Sequence, residues 1–574
     1  MRNLKFAVRT LMRTPFVTAI AIASLALGIG ANSAIFSLFN QMLLKKLDSR
    51  EPSFLVNLAN PGPKPGSQSC GQAGDCEEVF SYPMFRDLER GNTVFSGIAA
   101  HVPFGANMGM RGQVPINGRG LVVSGSYFPV LGLTPALGRL LTPDDDRNIG
   151  AHYVAVLSYR FWETRLGANR AVLNEPITIN GQSFTIVGVA PRDFDGTTLG
   201  SVPNVFVPLT MRKVVSSWFN GFEKRREYFA YLFARLKPGV SIEQARLGIN
   251  ATYHPIIKDI EAPLQEGMSD QTMVKFKAKE ITVLDGSRGQ SSVRKESRTP
   301  LVLLFGITGI VLLIACANIA NLLLARAAQR STEMAVRLSL GAGRGQLLRQ
   351  LLTESVLLAL MGGLVSILVA KWTLSFITSI LPPDATASLR IGLEPVVILF
   401  ATSLSVGTGL LFGMFPAIHS TRPDLITSIR ANAGQPSGAR AAARFRTSLV
   451  TVQIALSMAL LIAAGLFVKS LANVSRVDLG LKTDNLITFG VSPVLNGYNG
   501  ARSQALFQRI EEELAAVPGV TTVAASRVPL LAGDNWGSDV SVQGFKKTSD
   551  TDANARYNEV GPGYFRSLGV PLIG

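Results

Sequence analysis

The chain has 574 residues, a mean hydropathy of +0.27 and a formal net charge of +17. It is too apolar for an ordinary soluble protein and too charged for a chain buried wholly in lipid, so membrane spans joined to soluble domains are expected. The charge does not indicate nucleic acid: residues 48–298 hold 28 Lys/Arg against 24 Asp/Glu, and much of the remaining excess flanks apolar runs.

Five apolar runs are long enough, or nearly so, to cross a bilayer core, which takes about 20 residues. They lie at 14–44, 299–325, 355–370 (continuing past Lys371), 395–421 and 447–468. The first is predicted to be a retained span, because it is too long for a signal peptide and two lysines follow it instead of a cleavage site. The preceding MRNLKFAVRTLMRTP resembles a basic amphipathic helix on the inner membrane face.

Basic residues predict the orientation of these spans. Four precede the first span, five arginines separate the second from the third, and five separate the fourth from the fifth. Because positive loops stay in the cytoplasm, the N-terminus and both arginine-rich loops are expected there. Residues 48–298 and those after about 472 are then expected outside, with Lys45 and Lys46 as mild exceptions.

Residues 48–298 predict one large mixed α/β or α+β domain. Two β-rich runs across 175–191 flank Asn180-Gly181, a strong signal for a tight hairpin. Ser241, with Gln244 three residues later, indicates the start of a helix across 241–257.

Two clusters of residues in this domain are candidates for chemical sites. The three acids at 144–146 do not share one face, so a solvated turn is expected rather than a metal site. Cys70 and Cys76, in CGQAGDC, could form a disulfide outside the cytoplasm or remain free thiols, and a zinc site would need ligands that are not nearby. Cys316, inside an apolar run, is expected to be a small core residue.

An internal repeat is predicted from a motif that occurs twice. SGSYFPVLGLTPALG (124–138) and GPGYFRSLGVPLIG (561–574) share Tyr-Phe-x-x-Leu-Gly at an offset of 437 residues. The same offset places Arg9 on Arg446 and the first span on the fifth. The chain is therefore expected to be internally duplicated, with an incomplete second copy. Within that copy, 503–517 predicts an amphipathic helix and 520–528 a strand.

Several segments resemble MacB/FtsX-type ABC transporter permeases, and most closely the acidobacterial duplicated orphan permeases. ACANIANLLLARAAQRSTEMAVRLSLGAGRGQLLRQLLTESVLLALMGG (315–363) is similar to the permease core of that family. ITINGQSFTIVGVAPRDFDG (177–196), VPNVFVPL (202–209), LSYRFWETRLG (157–167) and the repeated motif resemble its periplasmic core domain. The likeness covers most of the chain.

This resemblance implies a polytopic α-helical membrane protein with large mixed α/β extracytoplasmic domains. The expected organisation has six parts: an amphipathic helix and first span (1–47), a MacB-like periplasmic core domain (48–298), an FtsX-like permease domain with three spans (299–425), an arginine-rich cytoplasmic linker (426–446), a fifth span (447–471) and the start of a second periplasmic core domain (472–574).

The resemblance also implies a role. The chain would be a non-catalytic, multi-pass subunit of a bacterial inner membrane, with its N-terminus in the cytoplasm. It would bind no cofactor itself, while a separate ABC ATPase uses ATP and Mg²⁺ to drive efflux or mechanical work. Lipid is an expected partner, a periplasmic adaptor or outer-membrane channel a further one, and nucleic acid is not expected.

The segment EMAVRLSLGAGRGQLLRQLLTE (333–354) is the candidate coupling corner. Its pattern predicts a helix, a tight glycine turn and a second helix between two spans. In the resembling family such a corner lies near the ATPase, which suggests contacts through a set of five residues: Glu333, Arg337, Gly341, Ala342 and Arg344. The alternative is an ordinary cytoplasmic loop whose arginines bind lipid phosphates. GAGRG is not a phosphate loop, since it follows no strand.

Two other functional classes were considered. A membrane-anchored sensor or scaffold could bind a ligand outside without transport, but no signalling sequence follows the spans. A membrane enzyme lacks support, because G-x-S-x-G and H-E-x-x-H motifs are absent. Inside the spans, Asn318 and Asn321 are expected to pair with another helix, and Gly28-Ile29-Gly30 and Gly409-x-x-x-Gly413 to allow close helix packing.

Overall fold

A computed structural model provides the structure of the chain. It describes residues 7–9, 11–110, 114–329, 336, 339–340, 343–381, 392, 394–420, 437–531, 536–546, 548–551 and 553–571. The chain divides into two compact units. The first, called the helical unit, consists of Met1–Lys45 and Arg294–Val477, and the second, called the outer unit, of Lys46–Val293 and Asp478–Gly574.

The α-helices are numbered here in chain order. Their bounds are α1 (Pro15–Phe39), α2 (Tyr82–Arg90), α3 (Tyr127–Leu131), α4 (Tyr159–Leu166), α5 (Arg212–Val215), α6 (Ile242–Pro255), α7 (Asp270–Lys277), α8 (Ser292–Gln329), α9 (Arg344–Ile380), α10 (Pro395–Ser420), α11 (Ser437–Ser475), α12 (Gly500–Ala515) and α13 (Tyr564–Ser567).

The strands are numbered in the same way. Their bounds are β1 (Leu55–Ala59), β2 (Ser67–Gln68), β3 (Val79–Phe80), β4 (Phe95–Gly109), β5 (Ile116–Val123), β6 (Leu137–Gly138), β7 (Val154–Leu157), β8 (Pro176–Ile179), β9 (Gln182–Val189), β10 (Val205–Pro208), β11 (Glu227–Tyr228), β12 (Ala230–Leu236), β13 (Thr282–Asp285), β14 (Gly537–Asp539) and β15 (Asn554–Arg556).

Five helical stretches among the described residues are long and apolar enough to cross a membrane. They are Pro15–Leu44, Ser292–Ala325, Arg344–Ile380, Pro395–Met414 and Arg446–Ser475. Each contains or overlaps one of the five predicted runs, and the weakest of these, broken by Lys371, lies within the continuous helix α9. The helical character of the five runs is therefore confirmed, while their passage through a bilayer and their orientation stay predictions.

Small residues bring the helices of the helical unit together. A Cβ added to Gly30 of α1 would lie 2.7 Å from Val369 of α9, and one added to Gly409 of α10 would lie 2.9 Å from Ala359 of α9. Only glycine allows backbones to approach this closely. The packing role predicted for both glycine motifs is confirmed, and Cys316 is buried in the same core, as predicted.

The outer unit is built on one eleven-stranded sheet. Its main path runs β13-β1-β12-β4-β5-β10-β7-β9-β6, with β3 on β12 and β8 bridging β4 and β9. The sheet is mixed, because β10 pairs with β5 and β7 pairs with β9 in parallel, whereas the remaining pairs are antiparallel. Helices contribute to cores on both of its faces, so the predicted mixed α/β domain is confirmed.

Successive side chains of the central strands point alternately into two separate cores, one on each face of the sheet. Leu232 of β12 faces the larger core, which includes residues of α2 and α6, and the next residue, Phe233, faces a smaller aromatic core that includes α3. Successive strand residues point to opposite faces, so every central strand is apolar on both sides. The centre of the sheet is therefore fully covered.

Two local predictions in this domain are confirmed. Strands β8 and β9 form a hairpin whose turn residues, Asn180 and Gly181, have φ angles of 50° and 79°. These positive values are those of a type I′ turn, which suits Asn-Gly. Helix α6 begins with a capping box in which the Ser241 and Gln244 side chains each accept a hydrogen bond from the other's backbone N–H.

The predicted solvated acidic turn at 144–146 is wrong for two of its three residues. Asp145 is 7% exposed and accepts two hydrogen bonds from the Arg139 guanidinium, at 2.7 and 2.9 Å. Asp146 is 2% exposed and accepts hydrogen bonds from the backbone N–H groups of Gly125 and Thr210. Burial of these carboxylates is tolerated because their oxygens receive donors. Only Asp144 is exposed to solvent.

The region after the fifth apolar run matches its prediction only in part. Helix α12 confirms the predicted amphipathic helix and is capped by Asn499, whose side chain accepts from the Arg502 N–H. The strand predicted at 520–528 is wrong, since this segment forms only an isolated bridge between Ser526 and Val560. A β-rich sequence becomes a strand only where a neighbour pairs with it over several residues.

We predict that Asn180→Ala destabilises the outer unit by about 2–4 kcal/mol. The Asn180 amide donates to the carbonyls of Gly105 and Val215 and accepts from the Asn107 N–H, and alanine would leave these groups unpaired. Pulse proteolysis in urea measures the loss. The matched control is Asn174→Ala, which changes an exposed asparagine with a φ of 64° and should cost about 1 kcal/mol. Equal losses in the two variants would contradict the prediction.

Candidate coupling site

The predicted coupling corner lies between α8 and α9. Glu333, Arg337, Gly341 and Ala342 fall outside the described residues. Arg344 is described: it is exposed and is the first residue of α9, directly after the extended N-cap Gly343. The predicted restart of a helix after the glycine turn is therefore confirmed at Arg344, and the contact set itself stays a prediction.

Two apolar side chains of the corner are exposed to solvent. Leu340 is 81% exposed and Val336 is 53% exposed, and the Leu340 N–H donates to the Val336 carbonyl at 3.0 Å, which is one helical turn. Leu347, one turn into α9, is by contrast buried. The predicted contact set holds only charged and small residues and leaves out Leu340. The signal that could have found it is an apolar pair at i and i+4 within a charged segment.

An ion pair joins two helix ends of the helical unit. Lys45, just after α1, lies 3.2 Å from the Glu394 carboxylate that precedes α10, and the Asn40 amide donates to the same carboxylate. The end of α1 and the start of α10 therefore lie at the same end of the helical unit. Lys45 is one of the two mild exceptions to the charge rule, and its pairing with Glu394 gives a local reason for its position.

A polar contact lies inside the apolar part of the helical unit. Asn32 of α1 donates to the Thr308 carbonyl of α8 at 2.7 Å, and the Thr308 hydroxyl donates back to the Asn32 oxygen at 3.2 Å. The asparagines predicted from the sequence to have partners on another helix are instead Asn318 and Asn321. Asn318 is exposed, and the buried Asn321 oxygen accepts no hydrogen bond within the described part of the chain. That expectation is wrong as far as the described residues go.

The centre of the outer sheet holds a buried histidine. His101 of β4 is fully buried, and its Nε2 lies 2.8 Å from the Gln290 side-chain oxygen. The Gln290 amide nitrogen donates to the Leu232 carbonyl, so its oxygen faces the imidazole and Nε2 is the donor. Burial lowers the pKa of His101 to about 4, opposed by this hydrogen bond, and the ring is neutral near pH 7.

A cysteine loop lies beside this histidine. The structure joins Cys70 and Cys76 in a disulfide with Cα atoms 5.0 Å apart, while oxidation of the pair in a cell stays a prediction. The Tyr231 hydroxyl of β12 accepts from the Gly71 N–H at 2.7 Å and donates to the Gly74 carbonyl at 3.0 Å. Burial raises the pKa of Tyr231 to about 12, so this hydroxyl keeps its proton. Within the described residues, no group of three or more His, Cys, Asp or Glu could hold a metal ion.

The order of these parts defines a class of protein. One apolar helix, a large mixed α/β domain and three further apolar helices are the parts of a membrane permease with an external domain. The comparisons with known proteins agree. Residues 18–252 match the MacB-like periplasmic core domain, and residues 305–425 match the FtsX-like permease C-terminal domain. The chain thus joins a MacB-like periplasmic core domain to an FtsX-like permease domain, an order that fits a membrane permease.

The curated relatives are named as macrolide export ATP-binding/permease proteins MacB. The protein from Chlorobium luteolum is 25% identical over 414 residues, which cover 70% of this chain and 54% of that protein. The protein from Escherichia coli (strain K12) is 24% identical over 310 residues, which cover 54% of this chain and 42% of that protein. The chain therefore spans about half the length of the curated relatives it matches.

Among solved structures, the periplasmic region of MacB from Actinobacillus actinomycetemcomitans aligns with 41% of this chain and 90% of its own. The identity is 14% and the TM-score 0.28, which is too low to assign a fold.

We predict that acid destabilises the outer unit through His101. Because its pKa falls from 6.5 to about 4 on folding, the unfolded chain binds more protons between these values, so stability is lost as pH falls from about 6.5 towards 4. Between pH 6.5 and 5 the loss is about 2 kcal/mol. Burial raises the pKa of Glu261 to about 7, which contributes in the opposite direction, so the His101 part is the difference between the wild type and His101→Phe in their loss of stability from pH 7 to pH 5, measured by pulse proteolysis in urea.

His101→Phe should lose this extra pH dependence, although it should also be less stable at pH 7 because Gln290 is left without its partner. His254→Gln, at the half-buried end of α6, is the matched control and should keep the wild-type slope. An unchanged slope in His101→Phe would show that another group carries the titration.

Proposed function

We propose that the chain is the membrane subunit of an ABC-type transport system, which couples ATP hydrolysis by a separate ATPase to efflux or force transmission across a bacterial inner membrane. The observation that carries the proposal is the order of the two matched regions, with the MacB-like periplasmic core domain directly before the FtsX-like permease domain. The curated relatives are named as export proteins, which favours efflux.

The proposed ATPase is a different polypeptide. The relatives are named as ATP-binding and permease proteins in one chain, and the aligned regions cover 42% to 54% of the two compared above. We assign ATP and Mg²⁺ to this partner, and we propose that a periplasmic adaptor or an outer-membrane channel engages the outer unit.

The corner between α8 and α9 is the proposed ATPase contact. Arg344 is exposed at the first turn of α9, and Leu340 and Val336 present apolar surface just before it. An exposed leucine alone is ordinary on a protein surface. Exposed leucine and valine one turn apart, beside arginine, suit a partner that buries an apolar centre inside a charged rim. We propose that these residues act with Glu333, Arg337, Gly341 and Ala342.

We also infer that the chain is internally duplicated. Helices α3 and α13 each carry the Tyr-Phe-x-x-Leu-Gly motif and are followed by a glycine with a φ of 66°. At the predicted offset of 437 residues, the Leu133 N–H donates to Phe128 and the Val570 N–H donates to Phe565. The paired rings meet edge to face in both copies, with centroids 5.2 and 5.6 Å apart. These parallels support the duplication.

The segments that follow α1 and α11 also bond to the two motifs in the same way. After α1, the Arg50 N–H donates to the Leu131 carbonyl, and after α11 the Lys482 N–H donates to the Leu568 carbonyl. The Arg50 side chain packs over the glycine of the first motif and the Lys482 side chain over the glycine of the second. This second parallel adds contacts made by residues outside the repeated motif itself.

We predict that substitutions which introduce negative charge or a bulky side chain at the corner abolish ATPase binding. Full-length chains carrying Arg337→Glu, Gly341→Trp or Leu340→Glu should retain less than a tenth of the ABC ATPase recovered with the wild type, since like charge or lost apolar burial costs about 1.4 kcal/mol or more. Co-purification from membranes, with the ATPase recognised by its phosphate-loop sequence, measures this.

The matched control is Arg502→Glu on the exposed helix α12, which reverses the same charge far along the chain and should leave recovery unchanged. If the corner variants bind the ATPase as the wild type does, the contact assignment is wrong. If the wild type recovers none, a sensor or scaffold becomes the better proposal.

We predict that two exposed serines lie on opposite sides of the membrane. Ser183→Cys, in the hairpin strand β9, should react with a membrane-impermeant maleimide on intact spheroplasts, because the outer unit is proposed to lie outside. Ser339→Cys, at the corner, should react only after the membrane is opened. The unsubstituted chain, which contains Cys70, Cys76 and the buried Cys316, gives the background labelling to be subtracted. Reaction of Ser339→Cys in intact spheroplasts, with protection of Ser183→Cys, would reverse the proposed topology.

A further inference from the structure

The segment that leads into α8 is bound to the outer unit along its length. This segment, residues 287–292, is called the α8 root. Four hydrogen bonds join it to three parts of the domain: Leu47 N to Ser287 O, Asn57 Nδ2 to Gly289 O, and, in one loop, Gln290 N to Thr197 O and Ser291 Oγ to Leu199 O, at 2.9 to 3.0 Å. The start of the second candidate span is therefore fixed to the domain that precedes it.

The cysteine loop binds the end of this root. The Gln72 carbonyl, between Cys70 and Cys76, accepts from the Ser292 N–H at 3.1 Å and from the Ser292 hydroxyl at 3.3 Å. The Gln72 side-chain oxygen also accepts from the Arg119 guanidinium. Ser292 is the first residue of α8, where backbone N–H groups have no partner within the helix. The loop therefore supplies an acceptor at the start of α8.

The side chains of two neighbouring buried residues bond to the cysteine loop and to the α8 root. Tyr231 of β12 holds the loop at Gly71 and Gly74, and His101 of β4 holds Gln290 of the root. Tyr231 and His101 are directly paired across the two strands, and their rings stack with centroids 5.8 Å apart. The loop, the two central strands and the root thus form one continuous set of contacts.

We propose that the loop closed by Cys70 and Cys76 is a redox-sensitive latch that holds the α8 root on the sheet of the outer unit. With the disulfide intact, the loop keeps the Gln72 carbonyl on Ser292. With the disulfide reduced, the loop opens and the start of α8 is released from it. This inference goes beyond the proposed function, because it concerns the chain alone and requires no ATPase.

The composition of the loop explains why its cross-link matters. Two of the five residues between the cysteines are glycines, Gly71 and Gly74, which gain the most conformational freedom when a loop is released. A disulfide limits that freedom in the open loop. Cys70 is exposed and Cys76 half-buried, so a reductant can reach the bond.

The switching step is thiol–disulfide exchange with a dithiol partner. One partner thiolate attacks Cys70 or Cys76 and forms a mixed disulfide, which the second partner thiolate then resolves. Two electrons and two protons pass to the loop, leaving Cys70 and Cys76 as thiols and the partner as a disulfide. An oxidised dithiol carrier closes the loop by the reverse steps.

Hydrogen–deuterium exchange on the full chain in detergent tests the latch. Reduction with dithiothreitol should raise amide exchange in the α8 root, Ser292 included, by about tenfold or more, while the hairpin of β8 and β9 keeps its protection. Cys70→Ser with Cys76→Ser should reproduce this without reductant. Tyr231→Phe should raise exchange at the loop and at Ser292 with the disulfide still formed.

If the variant with both loop cysteines replaced fails to fold, reduction of the folded wild type still tests the proposal. Tyr153→Phe, a partly exposed tyrosine that packs on Phe184, is the matched control and should leave exchange at Ser292 unchanged. Three free thiols in the purified chain would overturn the proposal. So would unchanged exchange at Ser292 after both loop thiols are alkylated, or an equal rise in the hairpin, which would mean that the disulfide holds the whole domain.

Discussion

The cost of placing charge in a bilayer organises the whole chain. Five helices carry apolar runs, and the basic residues gather beside them. Some polar groups among the helices have partners, Asn32 with Thr308 inside the helical unit and Lys45 with Glu394 at the helix ends, whereas the buried Asn321 oxygen accepts no hydrogen bond from the described residues. The MacB-like periplasmic core domain is matched over residues 18–252, which include most of the first apolar helix and the folded region that follows it.

The outer unit is subject to a different constraint. Polar groups buried in its sheet need hydrogen-bond partners, because both faces of the sheet are covered. His101, Tyr231 and Gln290 lie at the centre of this sheet, where an unpaired polar group is costly. Their hydrogen bonds extend to the cysteine loop and to the segment leading into α8. A buried polar network that is paired in this way fixes one arrangement of its members, and here the members include the start of a candidate span.

The sequence was informative where the signal is local or periodic. The spans follow from runs of about 20 residues, the hairpin from Asn180-Gly181 and the start of α6 from Ser241 and Gln244. It was uninformative where a partner lies far along the chain. Asp146 is buried because Thr210 donates to it across 64 residues, and His101 meets Gln290 across 189. The coupling corner rests on family resemblance, since its charges alone also suit a lipid-facing loop.

The entry and exit of the first outer domain adjoin each other. Leu47, just after α1, donates its N–H to Ser287, just before α8, although 240 residues separate them in the chain. A domain with adjacent ends behaves as one insertion, so either end can carry motion into it. Both ends are bound further to the domain, the entry through the backbone of Arg50, which bonds to Leu131 and Arg235, and the exit through Gly289, Gln290, Ser291 and Ser292. Gln290 and His101 thus connect this exit to the central strands of the sheet, and the Gln72 carbonyl of the cysteine loop bonds to its last residue, Ser292.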